Sequence, residues 1–517
     1  MLIDYDKTAF ITETGKEISY HTLLQKIYLF SQAIELQKDD RAMILSETSV
    51  GYIYALFAIW SKGASYTQCF YNVDEKSVGE FINDIKPEVI FVSLKKYDFL
   101  LQGLQYVDFE VKILLLDELE KMPVSKNTPI VKLSIDESAV LFRVYTAGIT
   151  TKHKPVEITM SNMMYVGTRV TKIGLYGPKD RVLVLLPFFN NWILLSTVIA
   201  PLLVGATCVF TKEDTQSIID AFYKHKVSIA VLVKVVYERL IHTIFEEKEL
   251  VDKDGFSYKL AAKINNEKIS KIIFRKVHKL LGNNIRFFMT VGAKLEQEIY
   301  QPLLTLGIDV LEGYGLAEAS SLVTYPISKR THPDYVGKII DGLEYKTINN
   351  ELVLRGESIG KKYYNREMLN QRYFNNGWFF TSDVVEIDDK GLVKFIGRLN
   401  EEIILNTGRV IIPAELESRL NSRIDYIAES GVFYQDNTLK AVIIPNQEML
   451  EKYGREDDYL IIHSIIRWKV VEYYNHSVPQ HKRINKIIIS EKKLGRSTSG
   501  KIKRHQLYDY EKSEIFL

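Results

Sequence analysis

Residues 494–504, "LGRSTSGKIKR", contain G-x-x-x-x-G-K from Gly495 to Lys501. That spacing is the skeleton of a loop that wraps nucleotide phosphates in backbone N–H groups. The next residue is Ile502, where a P-loop needs a Ser or Thr hydroxyl for Mg2+. Only a short tail to Leu517 follows, too little for the helix, crossover and parallel strands of a P-loop domain. Lys501 is therefore a candidate for anion chemistry in some other architecture.

Three further stretches have residue types suited to related work. "YTAGITTKHKPVEIT" begins at Tyr145, directly after the apolar run "SAVLFRV". A strand ending in a hydroxyl- and glycine-bearing turn with a Lys can offer backbone N–H groups and charge to phosphates. "LEGYGLAEASS" (311–321) follows another strand and sets Glu318 on a glycine-flanked turn. "GWFFTSDVVEIDDKGLVKFIGR" (377–398) places Asp383 at a strand start and Arg398 at a strand end. An acidic residue so placed can hold a sugar diol, as it does with ribose elsewhere. Taken singly, each also fits a plain role: a surface Glu, a turn Asp, a basic tail.

The elements that must position these residues alternate along the chain. "RAMILS" (41–46), "EVIFVS" (88–93), "KILLLD" (112–117), "VLVLLP" (182–187), "IAVLV" (229–233), "IRFFMTV" (285–291) and "IDVLE" (308–312) read as strands. Amphipathic stretches such as 22–36 carry helical periodicity between them. The pattern predicts an α/β fold with mainly parallel sheets. After about residue 340 short strands and turns predict a β-rich subdomain. Beyond residue 402, "YIAESGVFY", "KAVIIP" and "NKIIIS" around a helical segment predict a small α+β domain. Residues 237–281 read as one long helical segment. In it Lys259, Lys263, Lys268, Lys271, Arg275, Lys276 and Lys279, against a single Glu267, are interleaved with Ile264, Ile269, Ile272, Ile273 and Phe274. Either its isoleucines pack a core beneath a solvated lysine face, or it is a basic amphipathic surface that touches anionic membrane.

At 517 residues, two or more domains are expected. Hydrophobic residues at 46% and charged residues at 26% are globular values. A net charge of +2 disfavours a dedicated nucleic-acid binder. Cys69 and Cys208 form no CxxC or Cys/His cluster, which suits a reducing, cytoplasmic setting and offers no zinc site. The start "MLIDYDKTAF" lacks the basic and apolar regions of a secretory signal. "WILLSTVIAPLLVGATCVF", Trp192 to Phe210, is uncharged over nearly the length of a membrane span. It contains Pro201 and Gly205 and is read instead as a buried helix followed by a buried strand in a soluble chain.

The ordered set of four stretches resembles the adenylate-forming superfamily, which holds acyl-CoA synthetases, carrier-protein adenylation domains and luciferases. The likeness runs over nearly the whole chain and is closest to long-chain acyl-CoA synthetases. There too a helical insertion precedes a motif like "RFFMTVGAKL", which contains Gly292, and one like "LEGYGLAE". The resemblance implies a large N-terminal AMP-binding domain, 1–397, and a small mobile α+β lid, 399–517. It also implies ATP, Mg2+ and CoA as cofactors and a fatty acid as substrate. In the family's phosphate loop, Y-T-S-G-T-T-G-x-P-K-G, Thr146, Gly148, Thr150 and Lys154 are the matching residues for the β- and γ-phosphates. Glu318 matches the Mg2+ carboxylate, and Tyr314 and Gly315 the turn beside adenine and the acyl pocket. Asp383 and Arg398 match the ribose ligands. Lys501 matches the lysine that reaches the α-phosphate and the attacking carboxylate, presented by a lid that turns between the two half-reactions.

The chain departs from that pattern at Ala147, Ile149, Thr151, His153 and Pro155 in the phosphate loop. Pro155 deletes a backbone donor, and Thr151 resists a positive φ, so weakened triphosphate binding is expected. Asn190 stands where a His is common, Ala317 where the family has Thr, and Ser382 where it has Gly. Two alternatives stay open beside fatty-acid activation: adenylation of an aryl or amino acid for a carrier protein, and a catalytically impaired ATP-binding protein on the same fold. Peripheral membrane contact is expected and nucleic-acid binding is not.

Overall fold

The computed structural model describes the chain except residues 1–3, 69–72, 132–135, 146–153, 248, 293, 400–402, 406–408, 454–458, 497–501 and 513–517. The chain forms two compact units. The first takes Met1–Gly148, Lys152–Glu344 and Leu354–Phe379; the second takes Tyr345–Val353 and Phe380–Leu517.

The first unit is built on two sheets. In the larger, strands Phe287–Val291 and Val310–Gly313 run parallel beside Ile229–Val231, Arg181–Val184, Thr207–Phe210 and Thr8–Ile11. Short antiparallel strands close both edges. The smaller sheet has the order 112–115, 89–92, 41–45, 65–68, 140–145, 155–159, parallel until its last, antiparallel pair. Central strands such as Val89–Val92 and Thr207–Phe210 are wholly buried. Covering on both faces selects their uninterrupted apolar runs rather than alternation. Helices begin where a polar side chain satisfies an orphan N–H group: Ser19 accepts from Thr22, Asp74 from Ser77 and Asp214 from Ser217.

The uncharged stretch 192–210 forms buried helical turns to Leu203 and then the strand Thr207–Phe210. No helix among the described residues is long and apolar enough to cross a membrane. The segment 237–281 differs from its reading as one long helix. Helical turns run from Lys234 to Glu247, and after a break the segment continues as Phe256–Ile264, Glu267–Ile273 and Arg275–Leu280. Asn265 takes a left-handed conformation (φ 47°), and Asn266 caps the next helix by accepting from Lys268 and Ile269. An Asn pair ends one helix and starts another because Asn tolerates that conformation and bonds its own backbone.

In the second unit, Ile427–Gln435, Thr438–Pro445 and Lys486–Ile489 form a three-stranded sheet. One apolar cluster, including Leu416, Val432, Ile443 and Ile466, joins this sheet to the helices Pro413–Asn421 and Tyr459–Ile466. A second cluster, with Phe433, Val442 and Leu507, fills out the core of this unit.

Candidate active site

In the first unit the strand Val310–Gly313 runs into a turn folded back on itself. The Tyr314 N–H donates to Thr324 Oγ1 (2.9 Å), and the Tyr314 carbonyl accepts from the N–H groups of Val323 and Thr324. A Cβ on Gly315 would lie 1.8 Å from the Ser321 carbonyl oxygen, so only glycine allows this closure. Glu318 follows in the single 3-10 turn Ala317–Ala319. Its Oε1 accepts from the Tyr363 hydroxyl at 2.7 Å, and its backbone carbonyl accepts from the Gly360 N–H at 2.8 Å. Among the described residues its Oε2 accepts no hydrogen bond.

Tyr363 is placed by a segment that runs alongside the strand Pro155–Thr159. Glu157 N–H donates to Lys362 O (2.9 Å), Lys361 N–H to Glu157 O (2.9 Å) and Tyr364 N–H to Pro155 O (2.7 Å). Pro155, the first residue of its strand, takes a position proline tolerates. Directly before it, Lys154 sets its Nζ 4.4 Å from the Tyr373 ring centroid and 5.6 Å from that of Tyr363. Both are cation–π distances. One buried tyrosine thus brings together Lys154 and Glu318, which are far apart in sequence. Gly292 lies just past the strand Phe287–Val291 with φ 94°. Asn190 serves as a helix cap, its Oδ1 accepting from the Trp192 N–H at 3.0 Å. Thr146, Gly148, Thr150 and Lys501 lie outside the described residues.

In the second unit Asp383 and Arg398 face each other across the antiparallel strands Trp378–Ile387 and Val393–Arg398. Arg398 Nε lies 2.7 Å from Asp383 Oδ1, an ion pair by distance, and Asp383 is wholly buried. A sugar diol reaches this carboxylate only if Arg398 or its surroundings move. Beside it, Ser382 is buried at φ 58°, and its N–H donates to Glu351 Oε1 at 2.7 Å. A left-handed L-residue costs about 1–2 kcal/mol, part of which glycine returns through the greater freedom of its unfolded chain. Ser382→Gly is therefore expected to stabilise the protein by about 0.5–1 kcal/mol in urea unfolding. A destabilised variant would show that the hydroxyl contributes more than the strained φ costs.

Sequence reasoning missed Tyr363 and a buried ion pair two residues before Tyr314. Glu312 contacts Lys329, and both side chains are almost completely buried. Burial pushes the Glu312 carboxyl above its usual range, and Lys329 opposes that shift. An acidic residue inside the apolar strand "VLEG" was a readable signal, because carboxylates are almost never fully buried unless paired. Nothing local marked Tyr363.

Parallel strands feeding loops that carry Glu318 and Lys154, followed by a small α+β unit, make the fold of adenylate-forming enzymes. The chain belongs to the AMP-binding enzyme family: residues 4–364 match the AMP-binding enzyme domain and 400–516 its C-terminal domain. It is 24% identical over 427 residues to the long-chain-fatty-acid–CoA ligase FadD15 of Mycobacterium bovis, across 75% of this chain and 70% of that protein. It is 23% identical over 522 residues to the 2-succinylbenzoate–CoA ligase of Oceanobacillus iheyensis, across 97% of this chain and 96% of that one. Among solved structures it resembles ATP-bound MatB from Rhodopseudomonas palustris, with TM-score 0.78, 19% identity and coverage of 99% and 97%. It also resembles o-succinylbenzoate CoA synthetase (MenE) from Bacillus subtilis with its acyl-adenylate, with TM-score 0.75, 20% identity and coverage of 97% and 95%.

Proposed function

We propose that this protein activates a carboxylic acid with ATP through an acyl-adenylate and passes the acyl group to the thiol of CoA, with a fatty acid as the acid. The observation that carries this reading is the grouping of Glu318 and Lys154 around Tyr363, in a chain that belongs to the AMP-binding enzymes. Among the described residues no three His, Cys, Asp or Glu side chains gather to form a metal cage. A lone Glu318 with one oxygen bonded to Tyr363 fits Mg2+ instead, which uses one or two carboxylates together with substrate phosphates. Bound there, the ion would supply charge neutralisation between the phosphates and the incoming carboxylate.

The chain's own residues would do the rest. Tyr363 holds one oxygen of Glu318, which aims the other. Lys154 would exchange its aromatic contacts for a phosphate oxygen. Asp383, with Arg398, would take the ribose hydroxyls. Lys501 would offset the repulsion between the attacking carboxylate and the α-phosphate, a contribution realised mainly in the transition state. CoA then opens the adenylate, giving the thioester and AMP.

A fatty acid is favoured by the likeness to FadD15. The apolar stretch around Phe188 and Trp192, both buried, is also suited to lining an acyl tunnel. A second reading, an aryl acid, is favoured by the 2-succinylbenzoate ligase that matches almost end to end. Pyrophosphate release and thioester formation across a panel of acids, with and without CoA, separate the two. Each methylene buried in a tunnel contributes about 0.8 kcal/mol, so kcat/KM is expected to rise about fourfold per carbon from short to long acids. Best activity with benzoates selects the aryl reading. Absence of pyrophosphate release with every acid rejects ligase activity altogether.

A further inference from the structure

The lysine-rich segment of the first unit buries Phe274 and Val277 but leaves several other apolar residues between its lysines exposed. Helices Phe256–Ile264 and Glu267–Ile273 both contact the helix Gln297–Thr305, with Ala261 and Ser270 buried. Tyr258 and Phe274 pack edge-on at 6.3 Å. Had the lysines been merely the solvated side of core helices, all the intervening apolar residues would have faced inward, as Phe274 and Val277 do. Instead Phe256, Leu260 and Ile264, spaced four apart on one helix, are exposed, and so are Ile269 and Ile272 on the next. Phe256 is 79% and Ile272 75% exposed. Lysines stand between them along the chain. Lys259 and Lys271 are paired with Asp254 and Glu267. Lys263, Lys268 and Lys276 are exposed and carry no carboxylate partner among the described residues.

We propose that this face, with Phe256, Leu260 and Ile272 among Lys263, Lys268 and Lys276, is a docking surface for an anionic lipid bilayer. Apolar side chains grouped on an exposed helix face mark an interaction site rather than ordinary surface. Unpaired lysines around them select the partner: the rings and branched chains enter the acyl boundary while the ammonium groups meet the phosphates of the headgroups. A protein partner would have to supply both an apolar pocket and several carboxylates; a bilayer of anionic lipid supplies both features everywhere on its surface. The proposal does not depend on which acid the enzyme takes.

The test is cosedimentation of the full-length protein with vesicles of pure phosphatidylglycerol or pure phosphatidylcholine. Binding to phosphatidylglycerol is expected, with little to phosphatidylcholine and release at about 0.5 M salt, where screening is strong. Each lysine near such a surface strengthens binding about fivefold, so Lys263→Gln with Lys276→Gln is expected to weaken it by about thirtyfold. Phe256→Ser with Ile272→Ser is expected to weaken it by at least about tenfold, with thermal unfolding unchanged, since both side chains are exposed. Absence of binding to phosphatidylglycerol overturns the proposal, as does binding that survives both variant pairs, or equal binding to the two lipids. A dimer that Phe256→Ser with Ile272→Ser dissolves would mean that a second copy of the chain covers this face instead, and equally overturns it.

Discussion

Lys501→Ala is expected to slow acyl-adenylate formation by roughly 10²- to 10⁴-fold while leaving thioester formation from supplied acyl-adenylate largely intact. Adenylation brings a carboxylate onto an already anionic phosphate, and charge builds on the α-phosphoryl oxygens as the bond forms. A desolvated anion left without its cation costs about 3–5 kcal/mol, which sets the size of the loss. The second half-reaction releases AMP, so the same ammonium has little to offset there. Lys503 and Arg504 provide the controls. Arg504 is already engaged, its guanidinium bonded to Glu417 with Nη2 3.0 Å from Oε2. Its alanine variant should therefore lose stability in the second unit rather than adenylation chemistry. Rates of both half-reactions in the three alanine variants decide the matter. Equal losses in the two steps, or a loss at Lys503 as large as at Lys501, would falsify the assignment of Lys501.

Glu312→Gln carries the largest expected effect on stability. Glu312 ties three segments together: its own strand, the loop at Leu295, whose N–H donates to Glu312 Oε1 (3.4 Å), and Lys329. Lys329 in turn donates to the carbonyls of Pro333 (2.7 Å) and Tyr335 (3.4 Å). The amide cannot balance the ammonium, so a buried cation is left with neutral partners alone, two carbonyls and the Tyr300 ring among them. Removing one partner of such a pair costs about 3–5 kcal/mol, whereas replacing both by apolar residues is often neutral or stabilising. The double variant Glu312→Leu with Lys329→Met should accordingly recover most of the loss in urea unfolding. A single variant that loses less than about 1 kcal/mol would mean that water reaches the pair. Because the pair lies just before Tyr314, the single variant should also disturb the turn that presents Glu318.

The strands were legible because each is a short β-branched or aromatic run bounded by turn residues. "EVIFVS" and "IRFFMTV" can be little else, and the observed strands Val89–Val92 and Phe287–Val291 fall inside them. The long helical reading of 237–281 does not hold at 249–255, which is not helical, or at Asn265 and Asn266, where one helix stops and the next starts. Lys154, Glu318, Asp383 and Arg398 were named from an ordered set of motifs. Tyr363 was not, since the hydroxyl that holds Glu318 arrives from a segment with no periodic or motif signal of its own.

The sequence by itself determined the alternation of strands and helices, the α+β character of the C-terminal region, and the superfamily, because local propensity and motif order are properties of neighbours along the chain. Only the tertiary structure decided that Lys154 sits over Tyr373, that Ser382 is held at a positive φ, and that Phe256 and Ile272 face outward among lysines. Periodicity shows that a helix has an apolar stripe. It does not say whether another element covers that stripe, which is set by contacts between residues distant in sequence.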